Sequence, residues 1–366
     1  MSRRQNIINF VGSLLVAIIA LSTVVFVCNS TYNEQLTSVL LKFLVGALIA
    51  GFLNTFFHEL AHLFIGKKNG FVFSSFTVWF FKWYKDGDKI KFAFTMFGEE
   101  LGYTEMIPTH VEDLCLRLKK MTIAGPMASL VIAIIGLLAF IIPNLSVWAY
   151  CILAMFLPIG AYSFVASILP ESNYGVRNDG GVVYGLKHQD DVAKVTISLL
   201  SIQAEMYQGK TPAQVDEKLY FDLPQLPEDD YNFIMLLNAR YFYYLDKEDY
   251  ENAKKVTERL VGLVDDVIKD LRAPILVNAL YNACTFDFDE DVADDIVYET
   301  EKYLNAVNTA TNLRAKLAYL LYVKGETELL DIFYKKGVKE ADKCQIKGFA
   351  VLENKLFDKM KKDFEK

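Results

Sequence analysis

Four stretches of this 366-residue chain, Ile7 to Cys28, Leu36 to Ile65, Met121 to Ile142 and Ser146 to Leu169, read as membrane-spanning helices. Each supplies close to or more than the ~20 apolar residues that ~30 Å of hydrocarbon demands of a helix. Arg3 and Arg4 precede the first, as in a secretory signal. Its apolar run is longer than the ~7–15 residues of such a signal, and no small-residue cleavage site follows, so a retained helix is expected. The rest of the chain differs in kind. Through Leu186 there are 13 Lys and Arg against 11 Asp and Glu; of the chain's 38 and 45, that leaves 25 against 34, or −9, from Lys187 onward. The expectation is a mainly α protein, with a four-helix membrane bundle over 1–186 that carries a β-hairpin region at 71–106, followed by a cytoplasmic helical domain over 187–366.

Composition narrows the function classes. A hydrophobic share of 53% and a mean hydropathy of +0.21 are too apolar for an ordinary soluble enzyme. Basic residues are neither in excess nor gathered with aromatics, so no nucleic-acid partner is expected. Cys28, Cys115, Cys151, Cys284 and Cys344 lie far apart without a C-x-x-C pair. They indicate neither a disulfide framework nor a thiolate zinc site, and fit packing roles in a reducing compartment. Lys and Arg in the short connections set the orientation. The starting tail has Arg3 and Arg4, and Lys67 to Lys120 contains nine basic residues; the connections at 29–38 and 143–144 contain none. Lys42 can snorkel from its helix end. Both termini are therefore expected to be cytoplasmic, in a multi-pass protein of a bacterial cell membrane.

The second apolar stretch holds NTFFHELAHLFIG, residues 54–66. His58 and His62 are four apart, so on a helix both rings project from one face and can share a metal ion. Glu59, beside the first, can take a proton from a metal-bound water. The same residues can also be read as core side chains satisfied by neighbouring helices. Ionisable groups at bilayer depth are costly and usually functional, which favours the metal.

A catalytic zinc site wants three protein ligands and an open position for water. His110 sits in a polar loop and His188 opens the acidic domain, and both are set aside as surface residues. Beyond the fourth apolar stretch comes LPESNYGVRNDGG, in which Asp179 precedes Gly180 and Gly181. A carboxylate on a glycine-permitted turn can be aimed back between helices. The N-D-G-G run equally fits an ordinary turn leading into the next domain.

Taken together, these motifs resemble the site-2 protease family of intramembrane zinc metalloproteases, over roughly Phe43 to Leu186. HELAH matches the family's metal-binding helix. AGPMAS, Ala124 to Ser129, resembles the A-G-P-x-x-N signature at the start of the next core helix, with Ser129 in place of Asn. LPESNYGVRNDGG resembles the P-x-x-x-x-D-G segment, with a longer interval between Pro170 and Asp179. The resemblance implies zinc held by His58, His62 and Asp179, Glu59 as catalytic general base, and Gly125, Pro126 and Ser129 as substrate-positioning residues. It also implies hydrolysis of a membrane-spanning or signal-peptide-like protein substrate.

Two further regions carry expectations. Residues 71–98 are rich in aromatic and β-branched residues, with Asp86 and Gly87 read as a two-residue hairpin turn and Trp79, Trp83 and Tyr84 suited to a membrane interface. Similar proteases carry a membrane-associated β element here, proposed to offer an edge strand to an unwound substrate; a hairpin that merely packs on the bundle fits as well. From Asp191 onward the apolar spacing is helical, and YYLDKEDYENAKKVTERL resembles a tetratricopeptide helix-turn-helix through Asp249, Tyr250 and Ala253. Such a domain would bind a protein or peptide partner. Two other readings stay open: a membrane zinc protease resembling the prenyl-protein proteases, with a glutamate from a later helix replacing Asp179, and a metal-free scaffold that recruits partners through its helical domain.

Overall fold

The computed structural model describes residues 3–32, 36–95, 101–173, 175–265 and 269–364. Residues 33–35 of the first connection, 96–100 of the expected β region and Tyr174 of the LPESNYG stretch lie outside the described residues. The chain divides into two compact units. One comprises Met1–Lys85, Ile90–Met106 and Asp113–Asp190, the other Asp86–Lys89, Ile107–Glu112 and Asp191–Lys366.

The first unit opens with two long helices, α1 (Arg3–Thr31) and α2 (Leu36–Lys68). Strands β1 (Phe71–Val78), β2 (Phe81–Asp86), β3 (Lys89–Phe94) and β4 (Gly102–Pro108) follow. Next come α3 (Leu114–Gly136), α4 (Val147–Ala154), α5 (Phe156–Ile168), a small ribbon of β5 (Ser172–Asn173) and β6 (Val176–Arg177), and α6 (Asp179–His188). Among the described residues four helical segments are long and apolar enough to cross a membrane: Gln5–Thr31, Thr37–Lys68, Leu114–Phe140 and Val147–Ile168. The third helix starts at Leu114, ahead of the apolar run at Met121, because Arg117, Lys119 and Lys120 form polar first turns that hydropathy does not register. The fourth segment is broken at Met155. Pro158 lacks an N–H and its ring collides with the carbonyl four residues back, that of Ala154, where α4 ends.

Within the bundle, α2 packs on α3, α4 and α5, while α1 packs chiefly on α5. Leu40, Leu44 and Leu48 form an exposed apolar stripe on α2, which suits lipid. Small residues set the closest crossings. A Cβ on Gly136 would stand 2.3 Å from the Leu157 backbone nitrogen, and one on Gly160 would stand 2.6 Å from that of Ala133, so α3 and α5 meet backbone to backbone. Asn54 of α2 donates to Ser163 of α5 at 2.9 Å, a polar tie of the kind that links membrane helices.

The four strands form one sheet in the order β3-β2-β1-β4. β1 and β2 pair antiparallel, Ser75 opposite Tyr84 and Val78 opposite Phe81. Phe52 of α2 meets Trp79 and Phe81 edge to face at 5.6 and 6.0 Å, which fastens the β1–β2 hairpin to the helix. The β2–β3 turn falls on Gly87 and Asp88, one residue later than expected. Gly87 has φ +61, so the glycine opens the turn and Asp86 still belongs to the strand.

The second unit is helical: α7 (Asp191–Tyr207), α8 (Lys218–Phe221), α9 (Tyr231–Asp246), α10 (Tyr250–Gly262), α11 (Lys269–Cys284), α12 (Glu290–Ala306), α13 (Ala310–Ala318), α14 (Leu330–Asp342) and α15 (Lys347–Phe364). Short turns join α9 to α10 and α11 to α12, and the side chains of Asp249 and Asp289 cap the second helix of each pair. Tyr241, Leu280, Leu317, Leu352, Phe357 and Met360 share one core. Into that core are folded two opposite charges, Arg314 and Glu353, both wholly buried, with Nε and Oε2 2.8 Å apart. Thr311 donates to the other Glu353 oxygen at 2.7 Å, and the Tyr281 ring lies 4.1 Å from the guanidinium. Removing one partner strands the other charge in an apolar core. Glu353→Ala is therefore expected to cost about 3–5 kcal/mol, and the paired change Arg314→Met with Glu353→Leu to recover most of it. Urea unfolding of the helical unit followed by hydrogen exchange in α13 and α15 measures both.

Candidate metal centre

α2 presents His58 and His62 one turn apart, with ring centroids 4.9 Å from each other. α6 presents Asp179 from its first turn. One donor atom from each of the three lies within 4.8 Å of the other two, and among the described residues this is the one group of three or more His, Cys, Asp or Glu placed to hold a metal ion. His58 Nε2 stands 3.1 Å from Asp179 Oδ2, and His62 Nε2 stands 3.4 Å from Oδ1.

The outward ring nitrogens decide what faces inward. His62 Nδ1 is 2.9 Å from the Met121 carbonyl, which can only accept, so Nδ1 carries a proton and, in the neutral ring, Nε2 keeps its lone pair. His58 Nδ1 is 3.0 Å from Ser129 Oγ, and donation to that hydroxyl gives His58 the same tautomer. With both neutral rings in that tautomer, two imidazole lone pairs and a carboxylate converge on one point, as they would around a bound cation. Two imidazoles and a carboxylate, each ring held from behind by a hydrogen bond, form a donor set that suits zinc.

Asp179 reaches this point differently from the expected glycine turn. Gly180 and Gly181 are helical, in the first turn of α6. They are small because the chain is crowded there: a Cβ on Gly180 would stand 2.2 Å from the Ile168 carbonyl, and one on Gly181 would stand 2.4 Å from that of Glu171. The reversal itself is made earlier, at Gly175, whose φ is +80.

Glu59 is buried next to the donor group, and Thr104 of β4 donates to its Oε2 at 2.7 Å. Nothing in the sequence marks Thr104, because the contact exists only once the sheet has folded back onto α2. Asn178, the N-cap of α6, likewise escaped sequence reasoning, although an Asn before a helix start is a recognisable signal. Other acids and histidines lie elsewhere. His110 pairs with the Thr109 hydroxyl, His188 with the Tyr184 carbonyl, Glu105 accepts from Ser74 and Ser75, and Asp190 pairs with Arg177.

The AGPMAS stretch lies inside α3 and not at its start, since that helix already begins at Leu114. Gly125, Pro126 and Ser129 are all buried. Gly125 faces the imidazoles: a Cβ there would be 2.2 Å from His62 Nε2 and 2.5 Å from His58 Nε2. Gly125→Ala should leave α3 helical and push the rings apart, which is expected to weaken zinc binding by about tenfold or more. Zinc retained after dialysis against graded chelator gives the comparison with wild type.

Comparison with individually curated proteins and with solved structures finds no match. The family model described as Peptidase family M50 matches residues 46–329. That span is well over half of the chain and includes the HELAH helix, the glycine of α3 that faces it and Asp179. On this evidence the chain belongs to Peptidase family M50, a family of zinc metalloproteases.

Proposed function

We propose that this protein is an intramembrane zinc endopeptidase that hydrolyses peptide bonds of membrane-embedded proteins or signal-peptide-like segments near the cytoplasmic face. The observation that carries the reading is Glu59. It is a buried carboxylate beside the three donors, held by Thr104 and not by either imidazole, as suits a base that works beside the ligands without being one. Zinc bound by His58, His62 and Asp179 would supply Lewis acidity toward water and the scissile carbonyl. Ser129 and the Met121 carbonyl orient the two rings. Glu59 accepts the proton of the attacking water and returns it to the leaving amine, Thr104 fixing one carboxylate oxygen while the other handles the proton. No acidic residue occurs between Leu114 and Pro170, which removes the arrangement resembling the prenyl-protein proteases, in which a later membrane helix supplies a glutamate.

The position of the site supports cleavage near one membrane surface. His58 is ten residues before Lys68, the charged end of α2, or about 15 Å along the helix. The abundance of Lys and Arg on that side supports a cytoplasmic-facing site, on this reading in a bacterial cell membrane. A helical substrate has its peptide bonds shielded and must unwind locally, and an edge strand of the four-stranded sheet would offer hydrogen bonds to the extended segment. The helical second unit, on this reading, recruits a protein or peptide partner.

Glu59→Gln is expected to keep about one zinc per chain while losing roughly 10²–10⁴-fold in turnover of a reconstituted membrane substrate. His58→Ala should lose zinc and turnover together. Turnover at the wild-type rate in the Gln variant would remove Glu59 from the mechanism.

A further inference from the structure

The path from α5 to Asp179 is held by asparagine side chains. Asn178 Nδ2 donates to the carbonyls of Ala166 at 2.7 Å and Leu169 at 2.8 Å. Its Oδ1 accepts from the Glu171 N–H at 2.9 Å and the Gly181 N–H at 2.8 Å. Both donors and both acceptor sites of the amide are thus used, two toward the end of α5 and one into the first turn of α6. From the other side, Asn9 of α1 donates to the Pro170 carbonyl at 2.6 Å and Asn6 to that of Ser172 at 2.7 Å. Carbonyls just past a helix end have no partner within the helix, and at the edge of a bilayer water is a poor substitute. Asn9 is itself buried on a membrane-spanning helix, where an amide is costly unless it has a task. The family match begins at residue 46, so α1 lies outside it.

We propose that Asn178 is a positioning residue for Asp179, and that α1 belongs to the same positioning apparatus through Asn9. The inference rests on the zinc-peptidase reading of the site. Asn178 is adjacent to Asp179 in the chain, and its four bonds lock the first turn of α6 against the end of α5. A carboxylate ligand must stay within about 2.0–2.2 Å of zinc, so a shift of that turn by about an ångström removes the ligand. Only an amide provides two donors and two acceptors together. Serine at this position would still cap α6 but could not reach both α5 carbonyls. α1 completes the grip from outside: with Asn9 gone, Pro170 and the reversal after it are held on one side only.

The test uses the full chain, purified in detergent, with zinc alone and Co²⁺ alone as probes. Wild type, Asn178→Ser, Asn9→Leu, Asp179→Ala and, as a control on α1, Thr23→Val are compared. Zinc affinity is measured by chelator competition, ligand geometry by Co²⁺ absorption and fold by melting of the metal-free protein. Asn178→Ser is expected to weaken zinc binding by about 10–100-fold and Asn9→Leu by about tenfold. Both should move the Co²⁺ spectrum toward that of Asp179→Ala, with metal-free melting close to wild type and Thr23→Val unchanged throughout. Zinc affinity within twofold of wild type in Asn178→Ser overturns the role of Asn178, and the same result in Asn9→Leu overturns the role of α1. Wild type that binds no stoichiometric zinc instead defeats the zinc-peptidase reading, and this proposal falls with it.

Discussion

Three lone-pair donors converging in an apolar helical bundle set the terms for everything around them. His58, His62 and Asp179 are brought to one point, and the far nitrogen of each imidazole is backed, by the Met121 carbonyl in one case and the Ser129 hydroxyl in the other. Such a cluster suits a bound cation, and fixing each donor from behind matters because a bilayer offers no water to correct a misplaced polar group. The surroundings follow. α3 brings a glycine to the imidazoles and a serine to the back of one of them. β4 brings Thr104 to Glu59. The α5–α6 connection spends an asparagine amide on holding a single turn.

The gross architecture was legible because its cause is local. Uncharged runs of sufficient length must become helices in lipid, and a four-residue spacing of histidines on such a helix puts both rings on one face. What escaped the sequence depends on approach between distant segments. Gly180 and Gly181 read as turn residues, yet they are helical and small because the Ile168 and Glu171 carbonyls press on them. The polar start of α3 was invisible to hydropathy, whereas the break at Met155 could have been read from Pro158. The hairpin turn was misplaced by one residue because Asp-Gly is a strong local signal, and only strand pairing shows which residue opens the turn. Thr104 and Ser129 gain their meaning from partners 45 and 71 residues away, a distance over which no local pattern operates.

The same rule about buried polar groups recurs in the helical unit. Arg314 and Glu353 are sealed in an apolar core, 39 residues apart in sequence, and are tolerated because each finds the other, with Thr311 and the Tyr281 ring adding contacts. In the membrane unit the converging groups form a candidate metal centre, and in the helical unit the buried charges pair α13 with α15. The difference lies in the geometry: Arg314 and Glu353 face each other as one pair, while His58, His62 and Asp179 converge on a common point.

X-ray absorption at the zinc edge of the purified wild-type protein tests the central claim most directly. The account predicts about one zinc per chain, with two imidazole nitrogens at about 2.0–2.1 Å, carboxylate and water oxygens at about 2.0–2.2 Å, and no sulfur. A sulfur shell near 2.3 Å, a single imidazole, or zinc far below one per chain would contradict it.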